Sequence, residues 1–490
     1  MKSSSRVFKR TGGIIPGRSA FDLSYDKLLS CDMGQLIPVM CDECVPGDIW
    51  EIGNQALLRF QPLVAPIMHE VNVFVHYFFV PYRLIFDDWE QFITGGEDGG
   101  DTTVLPTFDP DTAAKMAKGS LWDYFGFPVA IRPLGALPLD FPRRAYLAIY
   151  NDYYRDENII DPLDITDQDN YSVLIRAWEK DYFTSSLPWQ QRGTSPAFPI
   201  VGSTSAVWSS TPTTADTLFY NAGLSLPSAT AMGMLNNNVV DLSAATPLDI
   251  AEMRLGFQTQ RWLERNARAG ARYTEFLKSH FGVSPNDDRL QRPEYIGGSK
   301  SPVIVSEVLQ NSESATTPQG NMAGHGVAVS SAYCAKYRVQ EFGLIMGIMS
   351  IMPKPVYQQG INRQWLRDSK YDFYFPEFAH LSEQGVIRAE LYASGVLAEN
   401  QTLFGYQGQY DEMRVKQSMV CGDFRDTYDY WHMSRQFGSA PLLNQSFIEC
   451  VPRKDCFAVP AEPGVLVQFG NLIKALRPMP ALASPGLIDH

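Results

Sequence analysis

The chain has 490 residues, a formal net charge of −13, 45% hydrophobic, 12% aromatic and 19% charged residues. This composition excludes a chain disordered throughout, and the acidic balance excludes a surface that binds nucleic acid everywhere, so any such contact has to be local. A single core stops growing at roughly 250–300 residues, so part of the length belongs in loops or insertions. A charged fraction below the roughly 25% of ordinary soluble domains hints at a surface covered by other subunits.

The cysteines are seven, an odd number: Cys31, Cys41, Cys44, Cys334, Cys421, Cys450 and Cys456. The N-terminus is polar and basic, without the apolar core of a secretory signal. The longest apolar stretch, 344–352, falls far short of the ~20 residues that span a bilayer. The expectation is a soluble protein with free thiols, made in a reducing compartment and not inserted in a membrane.

Residues 1–21 carry Lys2, Arg6, Lys9, Arg10 and Arg18 and no acidic residue. They read either as a solvated tail or as a basic arm that lies along a phosphate backbone and releases counterions there. From Phe21 to Trp89 the pattern is all β, with turn signals at Pro38, Pro46-Gly47, Pro62 and Pro66. Within it, Glu70–Val80 (EVNVFVHYFFV) places Val71, Val73, Val75, Tyr77 and Phe79 on one face of a strand. Asn72, Phe74, His76, Phe78 and Val80 fall on the other. The strand is expected to be buried on one side, half-buried on the other, and to need a second sheet over it, as in a large antiparallel β-sandwich.

An acidic glycine-rich loop follows at 95–101 and a short aromatic helix or turn at 121–128. The 141–160 stretch predicts the first clear helix, with Pro142 at its start and Tyr146, Ile149, Tyr150, Tyr153 and Tyr154 at helical spacing. Such an aromatic stripe reads as a packing face. Residues 185–245 then change character: the only charges are Arg192, Asp216 and Asp241 among Ser, Thr, Pro, Gly, Ala and Asn. Trp189, Phe198, Trp208, Phe219 and Tyr220 make this too apolar for a spacer, and it is expected to be an exposed insertion packing on itself or on symmetry-related copies.

A second helix is predicted from Thr246-Pro247-Leu248-Asp249 to about Ala267, and a further turn or helix to Phe281. Arg254, Arg261, Arg265, Arg268 and Arg272 fall near one face if the helix continues. A solvated or ion-paired face is the first reading, with Glu264 four residues before Arg268; a phosphate or subunit contact is the second. β-signals resume at 303–308 and 339–352, the latter apolar on both faces, and continue through KYDFYFPEF (370–378) and LFGYQGQYDEMRV (403–415). No period of 20–50 residues repeats.

Searches for chemistry return nothing that supports an enzyme. His69-Glu70 lacks the second histidine of a zincin, and IGGSKS (296–301) lacks the spacing of a phosphate loop. Cys41 and Cys44 have the spacing of half a zinc site, but no second half follows and no βαβ unit surrounds them. His76 reads as a satisfied core histidine. No catalytic, cofactor or metal residue is assigned.

Several blocks together resemble the major capsid protein of Microviridae, in particular the gokushovirus group. They are FDLSYDKLLSCDMGQLIPV, CVPGD and HYFFVPYRLIFDDWEQFITGG near the N-terminus, RWLERNARAGARYTEFLKSHFGVSPNDDRLQRPEYIGG at 261–298, then KYDFYFPEFAHLSEQGV, LFGYQGQYDEMRVK, YWHMSRQFGSAPLLNQSF and RPMPALASPGLIDH. The resemblance covers nearly the whole chain except 185–245. It implies a mainly β protein with α insertions: one eight-stranded antiparallel jelly roll of the viral capsid type, residues 22–490, with long inter-strand loops and a basic arm over 1–21. It implies a T=1 icosahedral shell around circular single-stranded DNA, with fivefold and threefold contacts between copies. The 185–245 insertion matches the threefold protrusion thought to meet a host receptor, which makes Trp189, Phe198, Trp208, Phe219 and Tyr220 candidates for that contact. Lys2, Arg6, Lys9, Arg10 and Arg18 are the nucleic-acid candidates. Further implied partners are a small basic DNA-binding virion protein and a minor pilot protein, with assembly in the host bacterial cytoplasm. Fold alone does not fix function, and a carbohydrate-binding or depolymerising β-protein, or a cell-surface adhesin, are the rivals.

Overall fold

In a computed structural model, residues 17–96, 102–110, 112, 114–129, 137–196, 250–270, 272–309 and 322–482 are described. Strands form where β-branched and aromatic residues alternate with polar ones. They are β1 (Ser19–Asp22), β2 (Tyr25–Cys31), β3 (Ile37–Cys44), β4 (Ile49–Phe60), β5 (Val71–Pro81), β6 (Glu294–Pro302), β7 (Ile304–Leu309), β8 (Met322–Arg338), β9 (Gly343–Pro353), β10 (Glu383–Ile387), β11 (Leu403–Gly408) and β12 (Val465–Arg477). The chain divides into two compact units, Met1–Trp189 with Gly270–His490, and Gln190–Ala269.

Two antiparallel sheets dominate the larger unit. Sheet 1 runs β1-β12-β4-β8-β7, with β2 pairing the same edge of β12 further along; sheet 2 runs β3-β9-β5-β6. A separate hairpin-like pair joins β10 and β11. Six of the nine connections between successive described strands of these two sheets cross from one sheet to the other, so most neighbours within a sheet are distant in sequence.

The core lies between the sheets. Trp50, Ile52, Leu58, Phe60, Val467, Phe469 and Ile473 of sheet 1 meet Ile37, Val39, Val73, Val75, Tyr77, Phe79, Ile345 and Met349 of sheet 2 in one buried cluster. Burial of this kind stabilises by about 25 cal/mol per Å2 of apolar area, which makes the cluster the main source of folding free energy. Two buried asparagines tie the layers with polar contacts: Asn54 Nδ2 donates to Ser299 Oγ at 3.1 Å, and Asn471 Nδ2 to the Val39 carbonyl at 3.0 Å. The pairing of β4 with β8 shifts between Ile52 and Gly53, while the even-numbered positions of β4 from Trp50 to Phe60 stay buried throughout.

Strand β5 is buried on both faces, more completely than its sequence predicted; only His76 is half-exposed. Its odd-numbered side chains enter the sandwich core, as expected. The other face is roofed by the long β5–β6 connection. That connection starts with helices α1 (Tyr82–Ile85) and α2 (Trp89–Thr94), continues through α3 (Leu121–Tyr124), and reaches α4 (Phe141–Ile149), which passes into a π-helical turn over Tyr150–Tyr154. Phe141, Tyr146, Ile149, Tyr150 and Tyr154 pack on Phe78, Val80, Leu344, Met346 and Ile348. The predicted aromatic stripe is thus a packing face, but its last turn is π rather than α. The same connection later forms α5 (Ile250–Ala269) and α6 (Tyr273–Phe281).

Two expectations need correction. Arg254, Arg261, Arg265 and Arg268 are exposed on α5, but Arg272 is not with them. Gly270 adopts φ +101 and ends the helix, and Arg272 instead starts α6, 3.1 Å from Glu157. KYDFYFPEF forms no strand: it is two 3-10 turns, Lys370–Asp372 and Pro376–Phe378, with its aromatic rings outward.

The roof is fixed by an ion cluster at the start of α4 in which Asp140 and Arg143 are fully buried and Arg144 partly so. Arg143 Nε and Nη2 donate to Asp140 at 2.7 and 2.5 Å, and Arg144 Nε donates to the same carboxylate at 2.9 Å. Arg143 also donates to the carbonyls of Asp167 and Ile165. Removing one member leaves the other charge buried without compensation, a loss of roughly 3–5 kcal/mol. Asp140→Ala should lower the unfolding free energy of the unassembled subunit, read by urea titration, by that amount; an unchanged midpoint would show that the cluster does not hold the roof.

Candidate assembly and nucleic-acid surfaces

Of the five nucleic-acid candidates, Lys2, Arg6, Lys9 and Arg10 lie outside the described residues. Arg18 is described, exposed, and placed immediately before β1. Residues 19–21, taken as the end of a free arm, are in strand: Ser19 pairs with Arg477 and Phe21 with Ala475. Arg18 therefore sits at one end of sheet 1. Cross-strand register puts Lys474 of β12 opposite Glu51 of β4, and Glu51 opposite Lys336 of β8. Lys336 Nζ lies 2.8 Å from Glu51, while Lys474 and Arg338 are exposed nearby in the register.

Of the protrusion candidates, Trp189 is half-buried at the end of the larger unit's first segment. Phe198, Trp208, Phe219 and Tyr220 lie outside the described residues. In the smaller unit, Arg192 donates its backbone N–H to the Leu263 carbonyl, and Gln260 of α5 bonds Gln191 and, at 2.9 Å, Glu264. Glu264 thus serves α5 through Gln260.

His76 sits under the roof. Its Nδ1 shares a hydrogen bond with the Tyr154 hydroxyl at 2.8 Å, and the two rings stack at 21°. Phe74, Phe78 and Tyr295 complete an aromatic box. Arg176 lies over Phe74 at 4.5 Å and Tyr154 at 5.6 Å, and Lys300 over Phe74 at 4.8 Å. The nearby carboxylate, Glu179, is 3.4 Å from Lys300 Nζ. Burial first, and the Arg176 charge second, hold His76 down at about 4 from an ordinary 6.5. This is a packing histidine, as its sequence context indicated.

The Cys41 and Cys44 thiols are both free. Burial pushes Cys41 up to about 12 and Cys44 well above its ordinary value, so both stay protonated and neither offers a thiolate. Among the described residues no group of three or more His, Cys, Asp or Glu could hold a metal ion, and no helix is long and apolar enough to cross a membrane.

What sequence reasoning missed is surface that stays apolar after folding. Trp365, Tyr371, Phe373, Tyr374 and Phe375 are exposed on the β9–β12 connection, and Leu28, Val329, Tyr333 and Ile304 on the outer face of sheet 1. A folded chain that leaves this much apolar surface in water is built to be covered.

The family profile described as capsid protein (F protein) matches residues 13–487. The chain belongs to this capsid-protein family. It is 33% identical to capsid protein VP1 of Chlamydia phage 1, over 96% of each chain. It is 32% identical to capsid protein VP1 of Bdellovibrio phage phiMH2K, over 99% of each. Capsid protein VP1 of Spiroplasma virus 4 is 29% identical over 97% of this chain and 96% of its own. The Microviridae resemblance carried by the sequence blocks is thereby confirmed.

The His76 box generates a pH dependence. The folded pKa lies below the unfolded one, so the unfolded state binds the proton more readily and this group's stabilisation is complete above pH 6.5. It is lost as pH falls from 6.5 to about 4, an effect of roughly 3 kcal/mol. His76→Gln, which keeps an acceptor for Tyr154, should flatten the urea-midpoint profile of the unassembled subunit across that window. A profile identical to the parent's would rule the effect out.

Proposed function

We propose that this chain is the major capsid protein of a small single-stranded DNA phage, self-assembling into a T=1 icosahedral shell around a circular genome. The observation that carries the reading is similarity to phage capsid proteins along the full length of both chains. Strand order supports a single eight-stranded jelly roll. Taking β2, β3, β4, β5, β6, β8, β9 and β12, the two sheets read β2-β12-β4-β8 and β3-β9-β5-β6, which is the order two interleaved Greek keys produce. In this reading β1 and β7 are additions at the margins of sheet 1.

The shell forms by heterologous contacts that close into fivefold and threefold rings, stabilised by apolar burial. The charge-poor composition and the exposed aromatic segments suit that role. No catalytic step is proposed; the protein acts in the virion, after assembly in the host bacterial cytoplasm. Residues 1–18 serve as a basic arm on packaged DNA, with a small basic virion protein and a pilot protein as companions. The 185–245 insertion serves as the protrusion for a host receptor.

Purified particles viewed by electron microscopy should be closed shells about one subunit thick; a chain that stays monomeric under every packaging condition refutes the proposal. Changing Lys2, Arg6, Lys9 and Arg10 to neutral residues should reduce the salt slope of DNA retention by about 0.7 per cation, and full retention would return the arm to a solvated tail. Deleting residues 190–240 should leave the subunit folded and abolish host attachment; misfolding, or unchanged attachment, counts against the protrusion role.

A further inference from the structure

Helix α6 stands out by what it lacks: none of its nine residues is buried. Phe276 and Leu277 are half-buried, while Tyr273 is 63% and Phe281 68% exposed. Little apolar burial holds this helix down, so its polar contacts decide where it lies. They gather at its first turn, just past Gly270, where the chain re-enters the larger unit.

Arg272, the cap residue of α6, is at the centre of this group. Its Nη2 donates to the Arg155 carbonyl at 2.8 Å, at the end of the π-helical turn. Its Nη1 lies 3.1 Å from Glu157, two residues further along that loop, and 3.6 Å from Glu275 on α6. The Arg272 backbone N–H donates to Glu275 Oε2 at 3.3 Å, so Glu275 caps the helix it belongs to. The Glu157 and Glu275 carboxyls also hydrogen-bond each other. Such a bond needs a proton, because an ionised carboxyl can only accept. Gly270 shows how tightly the group is packed: a Cβ there would collide with Glu275 Oε2 and lie 3.3 Å from Glu157 Oε1.

The surrounding charges are few. Asp152 of the π-helical turn sits among Arg292, Arg272, Arg155 and Asp287. Arg292 pairs with Asp287 at 2.5 Å and donates to Thr274 Oγ1 at 3.4 Å. On α6 itself Lys278 is exposed, and His280 lies against the Phe276 ring at 4.5 Å. Burial first, and the Glu157 charge second, hold the Glu275 carboxyl above its ordinary 4.5, while Arg272 pulls it down without cancelling them.

We propose that Glu157 and Glu275 share one proton, and that this proton latches the first turn of α6 to the loop that follows the π-helical turn. In the latched state the neutral carboxyl donates to its ionised neighbour, and Arg272 balances the single negative charge. Loss of the proton to solvent leaves two carboxylates facing one guanidinium, and like-charge repulsion separates the α6 cap from Glu157. The folded pair holds its proton more tightly than a free glutamate does. The latch is therefore complete below pH 4.5 and is lost as pH rises through the raised folded value. A plain Arg272–Glu275 ion pair would act in the opposite sense and strengthen with rising pH. His76 also acts in the opposite sense, weakening the roof on acidification.

The test is amide hydrogen exchange on the full-length unassembled subunit from about pH 5 to about pH 8, with protection over residues 273–281 corrected for the intrinsic exchange rate. Parental protection should fall as pH rises, by up to about tenfold for each unit by which the pair's pKa exceeds the free value. Glu275→Gln keeps an acceptor for the Arg272 N–H and an amide that donates to Glu157, but has no proton to lose. Its protection should stay flat, and the difference from the parent, taken at each pH, cancels the His76 contribution. Glu157→Gln should flatten the profile from the other side, which keeps the latch testable if Glu275→Gln misfolds. A helix cap without a shared proton would leave the parental slope in place. That slope in either variant, or parental protection that holds steady or rises with pH, overturns the latch.

Discussion

Strand β5 has two apolar faces, and both have to be kept from water. One is covered by sheet 1 across the sandwich. The other needs a layer that the β-sheets cannot supply, because two stacked sheets already use each other. The β5–β6 connection provides it: α4 and its π-helical end lay an aromatic face on Phe78, Val80 and the outer side of β9. The rest of the larger unit is arranged around that double burial. The Asp140–Arg143–Arg144 cluster locks the roof, and the His76–Tyr154 pair marks where the roof meets the strand.

The β5–β6 connection covers sheet 2, while among the described residues Leu28, Val329 and Ile304 of sheet 1 stay exposed. The asymmetry has a physical consequence for assembly. A face with rows of leucine, valine and isoleucine in water is unfavourable in the free subunit, and its burial by another molecule is correspondingly favourable. The outward aromatic rings of 365–375 are a second surface of the same kind. Subunits that fold with such surfaces store part of their association free energy in the monomer, which fits membership of a capsid-protein family.

The sequence was a good guide wherever one physical signal dominated locally. Short apolar runs between turn signals marked the all-β stretch that holds β1 to β5, a two-sided apolar run marked β9, and the division of β5 into its two faces matched side chain by side chain. It was a poorer guide where two signals competed. KYDFYFPEF has the residue types of a strand, yet Asp372 accepts from the backbone of Asp368 and Ser369 and closes a turn instead. The five arginines expected on one face became four and one, because a glycine in the left-handed region ended the helix.

By itself, then, the sequence determined the β-rich class of architecture, the family, several local elements and the inward face of β5. These follow from residue type and spacing, which act over a few residues. Only the tertiary structure decided that sheet 2 is roofed by the β5–β6 connection, and that residues 19–22 pair with β12. Those outcomes depend on strand neighbours hundreds of residues apart. Glu70–Val80 shows both sides of this division: its pattern foretold a core strand, but not that its second face would be sealed by a helix and a turn contributed from far along the chain.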